Sequence, residues 1–407
     1  MKIKDPTPLL SDWKAPEIID RKEQIKRLKE LCINHLLDER IHGFIFIYGP
    51  SGSGKTFVTR KLIEDNYDSI KRHLPNFDYF YINMGDYEVP STFSLWSTIA
   101  FNLRKYLPIK SSKFGLIEDI PLRGWAHDDY LDVVKEIVKK KNLTILVVID
   151  EINKMVEKAK SPEILYKLSQ VYTEFREYSS YVGLCFIGIS NDFKLYAKLE
   201  DRIRDRFFGT IHFSDYNFSD LLDILKLHAR YSLEEGSYTD EDLVQVVKKV
   251  FETSTSARRV KKVLYHLALL SEGDKLDITL LDKAMNEMRK DFLMEIIYSL
   301  PYHQKLALKS VLVRHEYLKK IKKIKRRGIS RFVNTLPTRD SIYSIYTNLC
   351  KEVGEKPKTY RTYFDMIDEL ERKGLVRLGI VHSKGMTTIV NPVDPDLIKL
   401  LVERSLE

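Results

Sequence analysis

Gly49-Pro50-Ser51-Gly52-Ser53-Gly54-Lys55-Thr56 places three glycines, a lysine and a hydroxyl in the spacing G-x-x-x-x-G-K-[ST]. That order suits one task. Glycines let backbone N–H groups converge on phosphate oxygens, and a helix starting at the end of the loop adds its positive dipole end. Lys55 then reaches the β- and γ-phosphates, and the Thr56 hydroxyl reaches a Mg²⁺ ion. A second chemical pair closes the apolar run Leu143–Ile149, where Asp150 and Glu151 stand side by side. Asp150 would hold the metal shell opposite Thr56, and Glu151 would polarise an attacking water. A third apolar run, Val182–Ile189, ends in Ser190-Asn191-Asp192. Asn191 either hydrogen-bonds a γ-phosphate or water, or simply makes a turn.

These residues need strands that end together. Phe44–Tyr48, Phe77–Met84, Leu143–Ile149 and Val182–Ile189 are apolar β-runs separated by helical patterns, which implies a parallel α/β sheet with the loop at a strand end. Ahead of the first run, Asp20 is read as the N-cap of a helix carrying Ile25, Leu28 and Leu31. Ile18 and Ile19 upstream either pack on an adenine ring or fill core. Residues 107–126 read as irregular, with Lys110, Lys113 and Arg123, and residues 155–178 read as helical. Arg202, Arg204 and Arg206 alternate with acids, as a surface salt-bridge cluster or as an arginine lent to a neighbour's site. From Asp220 to about Leu293 the pattern is all helical. One of those helices opens Ser254-Thr255-Ser256-Ala257-Arg258-Arg259, and its two arginines oppose the dipole at about 0.3–1 kcal/mol each. Either they meet a phosphate or they are solvated.

The charge is uneven. Residues 301–407 hold 22 lysines and arginines against 12 acids, so the chain's formal +9 comes wholly from its last quarter. That favours a polyanion as partner. Three helical patterns followed by two strands around His382-Ser383-Lys384-Gly385 give the winged-helix order. In that fold the third helix leads into the DNA major groove with its N-terminal residues and the hairpin tip lies on the backbone. Lys358, Arg361 and Thr362 are the expected contacts, with Lys384 at the wing. Tyr360 and Tyr363 either stack on nucleic acid or pack. The 407 residues suffice for two or three domains. Cys32, Cys185 and Cys350 show no metal spacing, and no apolar run spans a bilayer, so a cytoplasmic, nucleoid-associated protein without a membrane partner is expected.

Taken in order, the phosphate loop, the Asp-Glu strand end, Ser-Asn-Asp, Ala257-Arg258-Arg259 and the terminal winged helix resemble the archaeal origin-recognition and cell-division-cycle replication initiators of the AAA+ class. The resemblance runs from Pro16-Glu17 to the wing and includes Leu300-Pro301-Tyr302-His303-Gln304-Lys305. It implies an α/β AAA+ P-loop base over 1–214, an α-helical lid over 215–296 and a winged-helix domain over 297–407. It also implies ATP/ADP with Mg²⁺ as cofactors and slow, switch-like hydrolysis. By the same resemblance Lys55 and Thr56 are the Walker A pair and Asp150 and Glu151 the Walker B pair. Asn191 is then sensor 1, Arg258 sensor 2, and Arg206 the arginine given to a neighbouring subunit, while a DNA-contacting insertion falls within 85–125. Partners would be double-stranded origin DNA, other initiator subunits and the replicative helicase. The chain departs from the family at Ser254-Thr255-Ser256, at Asn153 and in a wing without Gly-Arg-Gly. A transcriptional or signalling regulator gated by ATP, its winged helix a docking domain, shares every one of these motifs.

Overall fold

The computed structural model describes residues 3–10, 13–87, 89–121, 124–325, 336–382 and 386–406. The chain divides into two units, Met1–Ile278 and Thr279–Glu407.

The first unit contains strands Phe44–Tyr48 (β1), Phe77–Asn83 (β2), Ile109–Ser111 (β3), Gly115–Ile117 (β4), Thr144–Asp150 (β5), Gly183–Ser190 (β6) and Gly209–His212 (β7). Five of them form a parallel sheet in the order β2-β5-β6-β1-β7, and β3 and β4 pair as a separate antiparallel hairpin. Helices cover the sheet, so β5 and β6 are buried along their whole length, as their uninterrupted apolar runs require. β2 instead alternates, with Phe80 and Ile82 buried and Tyr79, Tyr81 and Asn83 half-buried on the other face. Parallel register brings Asn83 beside Asp150 and Tyr48 beside Ser190, so the chemistry-bearing residues gather at the carboxyl ends of the strands.

Three sequence expectations meet a different geometry here. Asp20 is not an N-cap: the helix begins at Lys22, and Asp20 and Arg21 both adopt left-handed φ, 58° and 66°. The cause is the Arg21 side chain, drawn onto the Tyr216 ring and the Ser214 carbonyl. The span 155–178 is two helices, Asn153–Ala159 and Glu163–Arg176, because Lys160 turns to φ 53° and Pro162 has no N–H to continue a helix. The span 107–126 contains the β3–β4 hairpin, whose three-residue strands are too short to show an alternation. For the same reason β7 has no periodic signature. Beyond it, helices Phe218–Ser232, Asp240–Phe251 and Ala257–Leu270 pack together, the first two opened by capping boxes at Asn217 and Thr239.

The second unit runs through helices Leu281–Tyr298, Tyr302–Lys325, Arg339–Glu352 and Tyr360–Arg372, then strands Val376–His382 (β8) and Met386–Pro392 (β9), and ends in helix Pro395–Leu406. β8 and β9 are antiparallel. Thr338 and Thr359 cap their helices through backbone N–H bonds of Ser341 and Thr362. Its core joins Val311, Ile342, Tyr346, Tyr363, Ile367 and Leu370 to Leu293 and Ile297 from the preceding helix and Ile398 and Leu401 from the last. That last helix was not read from the sequence, although Leu397, Ile398, Leu401 and Val402 have helical spacing.

Candidate nucleotide and nucleic-acid sites

β1 passes directly into the phosphate loop, and Lys55 is the first residue of helix Lys55–His73. Gly52 and Gly54 take φ of 82° and 88°, open to glycine at little cost. A side chain at Gly49 would strike the Phe213 carbonyl, so the loop lies against the segment after β7. Lys55 is buried, and its Nζ donates to the carbonyls of Gly49 at 2.9 Å and Pro50 at 2.7 Å. Burial pushes its ammonium down to about 8; Asp150 opposes this, while the charges of Arg258 and Arg21 add to it. A lysine whose hydrogen bonds go to two carbonyls and the Ser53 hydroxyl, all neutral, and which is pressed by two arginines is a cation in need of an anion.

The opposite wall of this site comes from β5. Thr56 Oγ1 donates to Asp150 Oδ2 at 2.6 Å, and the Tyr81 hydroxyl donates to the same oxygen at 2.8 Å. Asp150 Oδ1 accepts the Glu151 N–H at 2.8 Å. Glu151 leaves the strand with φ 51°, and its carboxylate pairs with Lys154 beside Gly85. Asn191 is exposed at the tip of β6, and its N–H donates to Asn153 Oδ1 at 3.4 Å. Asn153, the residue that departs from the family pattern, therefore supports the strand tip. Pro50, Asn191, Asp192, Lys194, His212, Ser214 and Asp215 line a cavity of about 460 Å³ beside the loop.

The helical part of this unit roofs the loop. Ser256 sits against Gly52, Thr255 donates to Asp215, and the Tyr216 hydroxyl lies against Gly54. Arg258, one residue into its helix, is exposed and stands near enough to Lys55 to act on its charge. Arg21 is almost fully buried, its guanidinium 3.8 Å from the centre of the Tyr216 ring and donating to the Ser214 carbonyl at 2.9 Å. Ile18 is half-buried and packs on the base core, and Ile19 is half-buried as well. Arg206 lies elsewhere, stacked 5.2 Å from the Tyr166 ring. Sequence reasoning passed over Arg21, Tyr81, Lys154 and Tyr216. Only Tyr81 had a signal: Tyr79, Tyr81 and Asn83 recur every second residue in a strand.

Donors fit a nucleotide with Mg²⁺. Among the described residues no cluster of three or more His, Cys, Asp or Glu could hold a metal alone. Mg²⁺ bound through phosphates needs only a hydroxyl and a carboxylate from the protein, which Thr56 and Asp150 supply.

In the second unit the start of helix Tyr360–Arg372 presents Lys358, Arg361 and Thr362 to solvent. Tyr360 is 42% exposed, with its ring edge-on to Phe364 and its hydroxyl on Asp340. Tyr363 is buried and shares a hydrogen bond with Ser310 at 3.0 Å, so it packs. Lys384 lies outside the described residues, as does Arg123. No helix among the described residues is long and apolar enough to cross a membrane.

A parallel sheet with a phosphate loop, a helical lid and a winged helix define an AAA+ ATPase with a C-terminal winged-helix domain. Residues 18–190 match the ATPase domain found predominantly in Archaea, and residues 295–399 match the C-terminal winged-helix domain of CDC6. The chain thus carries the domain pair of the archaeal origin-recognition and cell-division-cycle replication initiators, as its motifs suggested. Among similar proteins is ORC1-type DNA replication protein 1 of Sulfurisphaera tokodaii, 29% identical over 94% of this chain and 88% of the relative. ORC1-type DNA replication protein 3 of the same organism is 22% identical over 99% and 94%. The Aeropyrum pernix ORC1 protein solved in complex with DNA superposes with a TM-score of 0.78 at 20% identity, covering 100% of this chain and 96% of that one.

Proposed function

We propose that the protein is an ATP-dependent DNA replication initiator that binds double-stranded origin DNA through its winged helix and AAA+ domain, with ATP or ADP acting as a switch. The observation that carries the nucleotide half is the Thr56–Asp150 hydrogen bond of 2.6 Å, between residues 94 apart in sequence. Gly49 to Thr56 hold the phosphates and Lys55 exchanges its loop carbonyls for phosphate oxygens. When bound, Mg²⁺ neutralises phosphate charge, with Thr56 and Asp150 holding it. Glu151 leaves Lys154 to accept a proton from the attacking water, Asn191 orients that water, and Arg258 closes on the γ-phosphate. Arg206 serves the site of a neighbouring initiator subunit. Hydrolysis is slow and switch-like, and Glu151 gives up its partly exposed pair with Lys154 to take part in it.

The DNA half rests on the exposed Lys358, Tyr360, Arg361 and Thr362 at one helix start, in the part of the chain with the basic excess. Lys384 joins them from the wing. The names of its relatives and the DNA in the Aeropyrum pernix complex support this reading over a promoter-bound or signalling regulator. The division into base 1–214, lid 215–296 and winged helix 297–407, a helicase as downstream partner and a cytoplasmic, nucleoid-associated location belong to the same proposal. The decisive experiment measures ATP affinity and hydrolysis for Lys55→Ala and Glu151→Gln. Wild-type behaviour of both variants in both assays would sink the active-site assignment. Crosslinking the protein to DNA in its host would separate origins from promoters.

A further inference from the structure

Asp150 is 6% exposed and accepts three hydrogen bonds, from the Glu151 N–H on Oδ1 and from Thr56 and Tyr81 on Oδ2. Two of these are inherent in the fold: the backbone N–H follows Asp150 in the chain, and Thr56 follows the phosphate-loop lysine. The third is a choice of side chain. Tyr81 pairs with Val148 in the β2–β5 register, two residues before the Asn83–Asp150 pair, so strand alternation puts its ring on the Asp150 face. Arg60 from the helix after the loop lies 4.5 Å from the centre of that ring and is itself 3.5 Å from Glu64, which leaves the ring little freedom.

We propose that Tyr81 is a positioning residue for the metal side of the site: its hydroxyl fixes the Asp150 carboxylate toward Thr56 and so sets the affinity of the nucleotide complex for Mg²⁺. A metal held by Thr56 would use a lone pair of the hydroxyl oxygen, with the O–H still donated to Asp150. Tyr81 supplies the second donor that stops the carboxylate from turning as the metal arrives. Oδ2 is then committed to two protein donors while Oδ1 accepts one, so Asp150 would serve the metal shell through its remaining Oδ1 capacity or through Thr56 and bound water. Tyr81 acts through Asp150 alone, and phosphate binding without metal does not involve it. This inference rests on reading the loop as a nucleotide site.

The test is calorimetric titration of the full chain with ADP, in EDTA and across a Mg²⁺ series, for wild type and Tyr81→Phe. The variant should bind ADP in EDTA within twofold of wild type, while the Mg²⁺ concentration that half-restores full affinity rises about tenfold. An unchanged Mg²⁺ dependence overturns the inference, and so does an equal loss with and without metal, which marks a merely structural ring. In an Asp150→Ala background, which removes the acceptor, Tyr81→Phe should have no further effect on the Mg²⁺ dependence. A persisting effect overturns the inference too. Thermal unfolding without nucleotide checks the fold; should Tyr81→Phe not fold, Tyr81→Leu is smaller, has no donor for Asp150 and carries the same expectations. Wild-type protein that binds no ADP under either condition fails the nucleotide reading itself, whereas normal ADP binding with an indifferent Tyr81 fails only this one.

Discussion

Lys55 and Lys358 both stand at the start of a helix, and they live in opposite surroundings. Lys55 is 3% exposed, bonded to two carbonyls of its own loop and forced down toward neutrality by burial. Lys358 is exposed, and its backbone is engaged with the Tyr343 and Tyr346 hydroxyls. The first lysine is held in place before any ligand arrives; the second is a solvated charge on a scaffold whose other face, Tyr363, Ile367 and Leu370, is core. A site whose atoms are fixed by the fold tolerates little change. A surface that works by charge tolerates much, and each residue in it carries a small share.

The largest contrast should come from removing the two lysines. Lys55→Ala is expected to weaken ATP or ADP binding by on the order of a hundredfold, since a charge-assisted bond to phosphate contributes roughly 1.5–3 kcal/mol and more than one is lost. Titration calorimetry reads this directly. Lys358→Ala should leave nucleotide affinity unchanged, and a nucleotide defect in that variant would break the distinction between pre-built and solvated sites.

Glycines sharpen the same contrast through stability. A methyl group at Gly49 would meet the Phe213 carbonyl, a backbone atom that cannot swing aside, whereas Gly374 (φ 73°) has nothing within 4 Å of the same position. Gly49→Ala should therefore lower the unfolding free energy by about 1–3 kcal/mol from overpacking. Gly374→Ala should cost about 1–2 kcal/mol from left-handed strain alone, and Gly374→Asn less. Denaturant unfolding of the full chain measures both. Equal losses for Gly374→Ala and Gly374→Asn would point to a packing role at Gly374.

Proton linkage separates the sites as well. Lys55 is held at about 8 in the free protein. A bound polyphosphate favours its charged form, so the complex has the higher pKa. Above about pH 8 binding must then take up a proton, and affinity should fall about tenfold per pH unit, while below pH 8 it should be flat with respect to this group. In stability the sign is reversed. The unfolded lysine titrates near 10.4, so the folded site's penalty is fully present below pH 8 and is relieved as pH rises toward 10.4. Affinity that stays level from pH 7 to 9.5 would mean that Lys55 is charged throughout.

The legible parts of the sequence follow from the same division. Glycine spacing, the fully apolar β5 and the acids at its end are constraints that backbone geometry writes directly into residue types, so the loop, Lys55, Thr56 and Asp150 can be found by pattern. The helix start at Thr338 is similarly written in its cap, whereas the next helix, expected from about Lys358, begins at Tyr360 behind the Thr359 cap. Arg21 could not be found: its place depends on Tyr216 and Ser214, nearly two hundred residues away, and its left-handed backbone replaces the N-cap that Asp20 suggested. β7 and the β3–β4 hairpin are set by tertiary pairing and are too short for a period to emerge. Asn153, seen in sequence only as a departure, carries the Asn191 N–H. Tyr360 and Tyr363, indistinguishable in sequence, part company because one faces Ser310 in the core and the other faces Asp340 at the surface.

The smallest predicted effect concerns the DNA surface, and it gives the strictest reading of what a solvated charge does. Each phosphate contact releases condensed counterions, so removing one should make the slope of log affinity against log salt shallower by about 0.9. Arg361→Ala, read by fluorescence anisotropy on duplex DNA over a salt series, should show that change, with a several-fold loss at moderate salt. A change in slope with equal loss on all sequences marks Arg361 as a phosphate contact. An unchanged slope with loss on one sequence only marks it as a base contact, since a bidentate arginine–guanine pair discriminates without adding a released ion. Lys358→Ala beside it gives the internal control: two phosphate contacts should lower the slope additively, because exposed charges without a shared partner act independently. Coupling between them would mean that this helix start is pre-organised as the phosphate loop is.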